Sequence, residues 1–387
     1  MTRSAIAGIG ATEFSKNSGR SELRLAVEAI TAALADAGLP PHSVGGLACY
    51  AMDNNDPAAV ARNLGLDAVT FFVQTPGGGG GACGTVALAS LAVRSGIADV
   101  VVCYRAMNER SGHRFGQPMT YTPGSMANSF QVDLSWVAPF GLGTPASQMA
   151  MSARRYMHQY GATSEDFGLI SVSDRAYAAA NPAAWFYQRP ITIEDHQNSR
   201  VISDPLRLLD CCQESDGAVA LVITSVERAR DLRQPVVEIL GAAQGLGPRW
   251  SGMALTERAD MAAAADTAVV AGQLWSQSGL SQAEIDVANI YDHFTPSVLM
   301  TLEALGFCGP GEAPAFIREE GIGPDGRLPL NTNGGQLGEA YIHGYNGIAE
   351  VVRQLRGTAV NQVAGARHGV VTSGSHVPTS GLVLGRA

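Results

Sequence analysis

Short apolar runs alternate with amphipathic stretches along most of this chain. The runs Ser4–Gly10, Gly45–Ala51, Thr70–Gln74, Asp99–Tyr104 and Ala218–Thr224 read as strands. Between them, apolar residues return at helical spacing over Glu22–Ala37, Pro57–Leu64 and Gly84–Ser95. Strands that alternate with helices predict a parallel-type α/β sheet. After Arg105 the alternation breaks into a polar and aromatic insertion, Met107 to about Asp210, with helical periodicity over Thr144–Tyr160 and Ser164–Asn181. It is expected to cover the sheet as a lid or a dimer-facing layer. A second α/β run begins with the strand Pro235–Gly241 and continues through a helix at about Arg258–Ser278, a strand Asp286–Tyr291 and a helix Thr295–Gly306. Strands at Gly369–Ser373 and Leu382–Gly385 end it. Two α/β halves joined near Val226–Gln234 are therefore expected: residues 1–230, carrying the insertion at about 106–210, and residues 231–387.

Composition narrows the class of protein. The 387 residues are 46% hydrophobic and only 16% charged, which suits a compact globular enzyme with much buried surface and suggests an oligomer. A net charge of -9 and a pI near 5.4 argue against general affinity for nucleic acid or an anionic membrane. The apolar run after Ser4 is too short for a secretory signal, and no run approaches the roughly 18 residues of a membrane helix. A soluble, cytoplasmic protein is expected. Six cysteines form no C-x-x-C pair and no zinc spacing with histidine, so they are read as reduced thiols and no metal site is expected.

Candidate chemistry gathers in three places. Asn331 to Gly347 holds five glycines in seventeen residues, with Tyr341, His343 and Tyr345 set between them. Glycines allow close backbone approach to a ligand, and an ordinary turn has no need of two tyrosines and a histidine. Gly77 to Gly81 precede Ala82, Cys83 and a helix start, whose amides can hold an anion or a developing oxyanion. No G-K-[ST] follows, and Gly8 and Gly10 lack the third glycine of a dinucleotide fingerprint. Cys83 reads either as a nucleophile activated by the helix N-terminus or as a small buried residue packing helix on sheet. The third place is the strand end Tyr291-Asp292-His293-Phe294. Asp292 there is equally a helix N-cap, Tyr291 a strand-end aromatic, and His293 has no metal-ligand partner at suitable spacing.

These segments, with Gly8 to Phe14 and Glu214 to Ala218, fall in the order found in thiolases, and nearly the whole chain is covered. The chain resembles the thiolase superfamily, nearest its sterol-carrier-protein thiolase branch and the lipid-transfer proteins within it. That resemblance implies a five-layered α/β/α/β/α fold of two similar halves, a loop domain inserted in the first half, and a homodimer through sheet edges. The catalytic positions differ from the family pattern. Registering on Gly84 puts the nucleophile's place at Gly81, two residues before Cys83. The two histidine positions carry Tyr291 and Tyr341, and the late cysteine falls at Thr372 or Ser373, before Gly374. Without a nucleophile, ping-pong acyl transfer through a covalent thioester is closed.

Tyrosines at both positions are similar to the thiolase-like aldolases of bacterial steroid side-chain degradation. The resemblance implies retro-aldol cleavage of a β-hydroxyacyl-CoA, a 17-hydroxy steroid thioester giving a 17-ketosteroid and propionyl-CoA. It implies Tyr341 as base and Tyr291 as the partner that orients the substrate or returns a proton, roles that can be exchanged. Asp292, His293, His343 and Tyr345 would support them, the histidines as nearby donors or positive charge. Gly81, Ala82, Cys83, Asn331 and Gly374 would bind the substrate and its oxyanion. The same family implies a separate OB-fold, zinc-containing hydratase subunit as partner, and no cofactor beyond the coenzyme A of the substrate. Two other readings remain: an acyltransferase using Cys83, and a non-catalytic lipid carrier or assembly subunit.

Overall fold

A computed structural model describes residues 2–76, 78–112, 114–117, 135–250 and 252–387. Gly77 of the glycine run and residues 118–134 of the insertion lie outside them. The strands are β1 (Ser4–Ala11), β2 (Gly46–Tyr50), β3 (Phe71–Thr75), β4 (Val100–Asn108), β5 (Val201–Ser203), β6 (Leu206–Arg207), β7 (Asp216–Ser225), β8 (Val237–Gly245), β9 (Val287–Asn289), β10 (His368–Ser373) and β11 (Thr379–Arg386). Nine of them form one sheet in the order β3-β2-β4-β7-β1-β8-β11-β10-β9, and β5 and β6 pair within the insertion.

The sheet is mixed, which corrects the expected parallel arrangement. β2 pairs in parallel with β3 and β4, and β9 with β10, while β4, β7 and β1 are mutually antiparallel neighbours, as are β8, β11 and β10. The connection from β10 to β11 is too short for a crossover and permits only antiparallel pairing. Strand order and direction repeat: β2-β4-β7-β1 on one side corresponds to β9-β10-β11-β8 on the other, and the two sets meet at the short β1·β8 pairing.

Both faces of the strands are buried, and side-chain parity sorts them. In β7, Ala218, Ala220 and Val222 join an outer core under the helix Glu22–Ala37, while Val219, Leu221 and Ile223 join a central core. The central core encloses the helices Ala82–Arg94 and Tyr345–Arg356, which pack against strands from both sides of the β1·β8 seam. A third core lies under the helices Ala265–Ser278 and Thr295–Leu305. A section through the molecule thus runs helix, sheet, helix, sheet, helix.

Two helices differ from expectation. The predicted helix Arg258–Ser278 begins at Ala265, because the Arg258 guanidinium folds back onto Asp266 at 2.7 and 2.9 Å and takes its segment out of helical register. The glycine-rich loop runs into the helix Tyr345–Arg356, whose amphipathic sequence predicts one solvated face, yet it is buried on nearly every side. Its central position between the two sheet portions accounts for this. Among the described residues, no helix is long and apolar enough to cross a membrane. From the insertion, the helix Ser164–Ala180 packs on the glycine-rich loop: Ala178 lies against Gly334 and Gly338.

Candidate active site

Tyr291 and Tyr341 converge, with their hydroxyl oxygens 3.0 Å apart. Tyr291 stands just beyond β9, and its amide donates to Thr372 Oγ1 at 3.2 Å. Tyr341 leaves the short helix Gly335–Gly338, and its amide donates to Ser215 Oγ at 3.1 Å. The glycine run makes room for the pair, since a Cβ at Gly79 would stand 2.0 Å from the Tyr291 hydroxyl. Both rings are buried. Burial raises both phenols well above the usual tyrosine range, and for Tyr341 Cys212 and Glu109 add to the rise. The pair is therefore neutral at physiological pH.

The flanking histidines supply no positive charge, contrary to the sequence expectation. Burial and the Arg105 charge push His343 well below its usual pKa, and burial pushes His293 down to about 3. Their tautomers follow from their partners. Arg105 Nε donates to His343 Nδ1 at 3.2 Å, and arginine is always protonated, so the ring proton of His343 sits on Nε2. Ser297 donates its hydroxyl to Phe294 O at 2.6 Å and so accepts from His293 Nδ1 at 3.3 Å. That leaves His293 Nε2 as a bare acceptor, and it has no partner among the described residues. The His293 ring lies 4.9 Å from that of Tyr291, and the His343 ring 4.9 Å from that of Tyr341.

The fixed positive charge of the site is Arg105, which the sequence reading missed. It is fully buried and paired with Asp53 at 3.0 Å. Its signal was strand parity: Val101, Cys103, Arg105 and Met107 share the central face of β4, so a charge there points into the core. Glu109, Tyr50, Ser215 and Cys212 were missed as well. Arg105, Met107, Glu109 and Phe115 help to line a cavity of about 240 Å³, and Phe115 packs on His343 with ring centroids 5.4 Å apart.

Several expected site residues are committed elsewhere. Cys83 is fully buried, its Sγ facing Val371 O at 3.8 Å, and burial pushes its thiol up to about 12. Its amide donates to Ser373 Oγ at 3.1 Å, and the Gly84 amide donates to Ser380 Oγ at 2.8 Å. Both serines donate back to Gly80 O. The Tyr50 hydroxyl stands at the amides of Gly81 and Ala82. This helix start is sealed by protein groups, which corrects its expected role as oxyanion site. A Cβ at Gly81 would meet the Tyr50 ring at 2.3 Å.

Asn331 accepts from the Ile290 amide at 2.9 Å and donates to Asp174 at 3.5 Å, so its side chain secures the loop. Gly374 packs against Gly80. Tyr345 is pinned to Thr85 Oγ1 at 2.6 Å, away from the tyrosine pair. Asp292 accepts from the amides of Gln336 and Leu337, both at 2.9 Å, and so caps the helix Gly335–Gly338 and not the following helix Thr295–Leu305. Among the described residues, no group of three or more His, Cys, Asp or Glu is placed to hold a metal ion.

Comparison with known proteins places this geometry in context. A family described as thiolase C-terminal domain-like matches residues 247–384. A 17-hydroxy-3-oxo-4-pregnene-20-carboxyl-CoA lyase of Mycobacterium tuberculosis is 61% identical over 383 residues, 99% of each chain. A steroid side-chain-cleaving aldolase of Thermomonospora curvata is 58% identical, over 98% of this chain and 97% of that one. A solved structure described as Ltp2-ChsH2(DUF35) aldolase superposes with a TM-score of 0.95 at 57% identity, covering 100% of this chain and 98% of that chain.

Proposed function

We propose that this chain, which belongs to the thiolase superfamily and within it to the steroid side-chain-cleaving aldolases, is a lyase that splits a steroid CoA thioester by a retro-aldol step. The substrate follows the relative named for 17-hydroxy-3-oxo-4-pregnene-20-carboxyl-CoA. Cleavage between its hydroxyl-bearing carbon and the carbon α to the thioester gives a 17-ketosteroid and propionyl-CoA. The observation that carries the site assignment is the 3.0 Å contact between the Tyr291 and Tyr341 hydroxyls.

The chemistry needs one base and one acid. The substrate hydroxyl loses its proton, a ketone forms, and the Cα–Cβ bond breaks. The released electron pair passes into the thioester as an enolate, which is then protonated at the α carbon. Tyr341 takes the hydroxyl proton, and Tyr291 orients Tyr341 and supplies the proton to the enolate. A neutral phenol accepts a proton only as it gives up its own, so Tyr341 requires a proton exit. Coenzyme A enters as part of the substrate, and no other cofactor or metal belongs to this reading. Acyl transfer through Cys83 finds no support in a fully buried thiol facing a carbonyl.

The chain is further read as a homodimer that works with an OB-fold, zinc-containing hydratase subunit. The paired description of the solved aldolase supports the second subunit, and the exposed Phe72 on edge strand β3 supports the first contact. Size-exclusion chromatography of the chain alone, and after co-expression with such a subunit, tests both.

The reaction is tested by incubating the purified protein with the 17-hydroxy steroid thioester and measuring ketosteroid and propionyl-CoA. Tyr341→Phe is expected to lower kcat by ~10²–10⁴-fold, the usual worth of a general base. Cys83→Ala should retain cleavage. The opposite pattern restores the cysteine transferase, and binding without turnover in every variant restores the carrier.

A further inference from the structure

We propose that the Glu109 carboxylate is the proton exit of Tyr341, taking the phenolic proton as the substrate proton arrives. This rests on Tyr341 being the base and adds a residue that neither the tyrosine pattern nor the family resemblance points to. Glu109 follows β4 directly, and its amide donates to Ser215 O at 3.3 Å. Ser215 Oγ in turn accepts from the Tyr341 amide at 3.1 Å, so one residue ties both backbones, and Glu109 is near enough to help raise the Tyr341 phenol. Glu109 is 3% exposed, lines a cavity together with Arg105 and Phe115, which both contact His343, and among the described residues its Oε2 has no hydrogen-bond partner. A buried carboxylate oxygen left unpaired is costly, and a role in proton transfer accounts for its retention.

The alternatives around Tyr341 fail one by one. His343 has its acceptor nitrogen occupied by Arg105. The Cys212 thiol is driven well above its usual pKa by burial, with Glu109 and other neighbouring acids adding to the rise. Tyr50 points its hydroxyl at the carbonyls of Gly79 and His343. Glu214, the neighbouring carboxylate, is paired with Arg114 at 2.7 Å. Glu109 itself is pushed up to about 8 by burial and by Glu214, opposed by Ser215, Arg105 and Lys16, which suits a base working near neutral pH.

The cycle balances. The substrate O–H bond breaks and its proton binds Tyr341, whose own proton passes to Glu109. Tyr291 gives its proton to the α carbon as the enolate collapses. The proton held by Glu109 then returns through Tyr341 to Tyr291, across the hydrogen bond that joins them.

The test is the pH dependence of kcat with the 17-hydroxy steroid thioester. In the wild type kcat should rise with pH to a plateau above about 8, as Glu109 becomes a carboxylate among Glu22, Glu214, Lys16, Arg105, Cys212 and Tyr341. Glu109→Gln should be ~10²-fold slower at the plateau with KM little changed, and should lose the rise. Glu109→Asp keeps a carboxylate and should keep a rise at an intermediate rate, which controls for folding. Glu109→Gln with wild-type kcat overturns the proposal, and so does a slow variant whose rise is intact, because a merely structural loss gives that result. Full activity in Tyr341→Phe overturns the tyrosine base itself, whatever Glu109 does.

Discussion

Gly79 shows how little slack the site has. An added Cβ would stand 2.0 Å from the Tyr291 hydroxyl oxygen and 2.7 Å from its ring carbon Cζ. Gly79→Ala must therefore push Tyr291 off Tyr341, and a misplacement of about 1 Å can cost ~10²-fold in rate. The expected result is a folded protein with kcat lowered by that order, measured beside its melting temperature. Full activity would mean that the phenol contact is not used. Tyr341 was legible in the sequence because glycines on either side fix its register, and Tyr291 because it opens the strand-end turn Tyr291-Asp292-His293-Phe294. Arg105 and Glu109 were not, since a single charged residue carries no local pattern and only strand parity and burial give it meaning. The histidines were misread for a related reason: closeness in sequence suggested positive charge, and burial removes it.

The glycine-rich loop behaves as one element held by acids. Asp292 caps its short helix, and Glu339 accepts from Asn346 at 2.9 Å, Asn181 at 3.3 Å and Asn333. Burial pushes Glu339 up to about 7, opposed by Arg353 and Asn346. Folding therefore favours its protonated form. The stability this gives is full below the unfolded pKa of about 4.5 and is lost as pH rises to about 7, at most about 3 kcal/mol. Glu339→Gln should remove that slope, so urea midpoints at pH 5 and pH 7.5 should differ less in the variant than in the wild type. Equal differences would place the effect elsewhere. Most elements were legible because apolar periodicity marks them, as over Ser164–Asn181, which forms the helix Ser164–Ala180. The false start at Arg258 was not, because a buried ion pair with Asp266 outweighs local helical preference.

For the whole molecule, the shared central core decides what can exist alone. Cys83, Val101 and Leu221 pack in the same cluster as Tyr291, Ile348 and Leu382. Residues 1–230 expressed alone should therefore fail to give a cooperative thermal transition, while the full chain should unfold in one step by circular dichroism. A folded, cooperatively melting fragment would contradict this. The doubling of the α/β pattern was visible in the sequence, but the mixed strand directions were not, since pairing partners lie far apart along the chain. The Tyr50 ring fills the space above Gly81. A cysteine placed at Gly81 would collide with the ring, and trimming Tyr50 alone would open a cavity in the core. Each single change is harmful by itself, so engineering a nucleophile at this helix start requires both changes together.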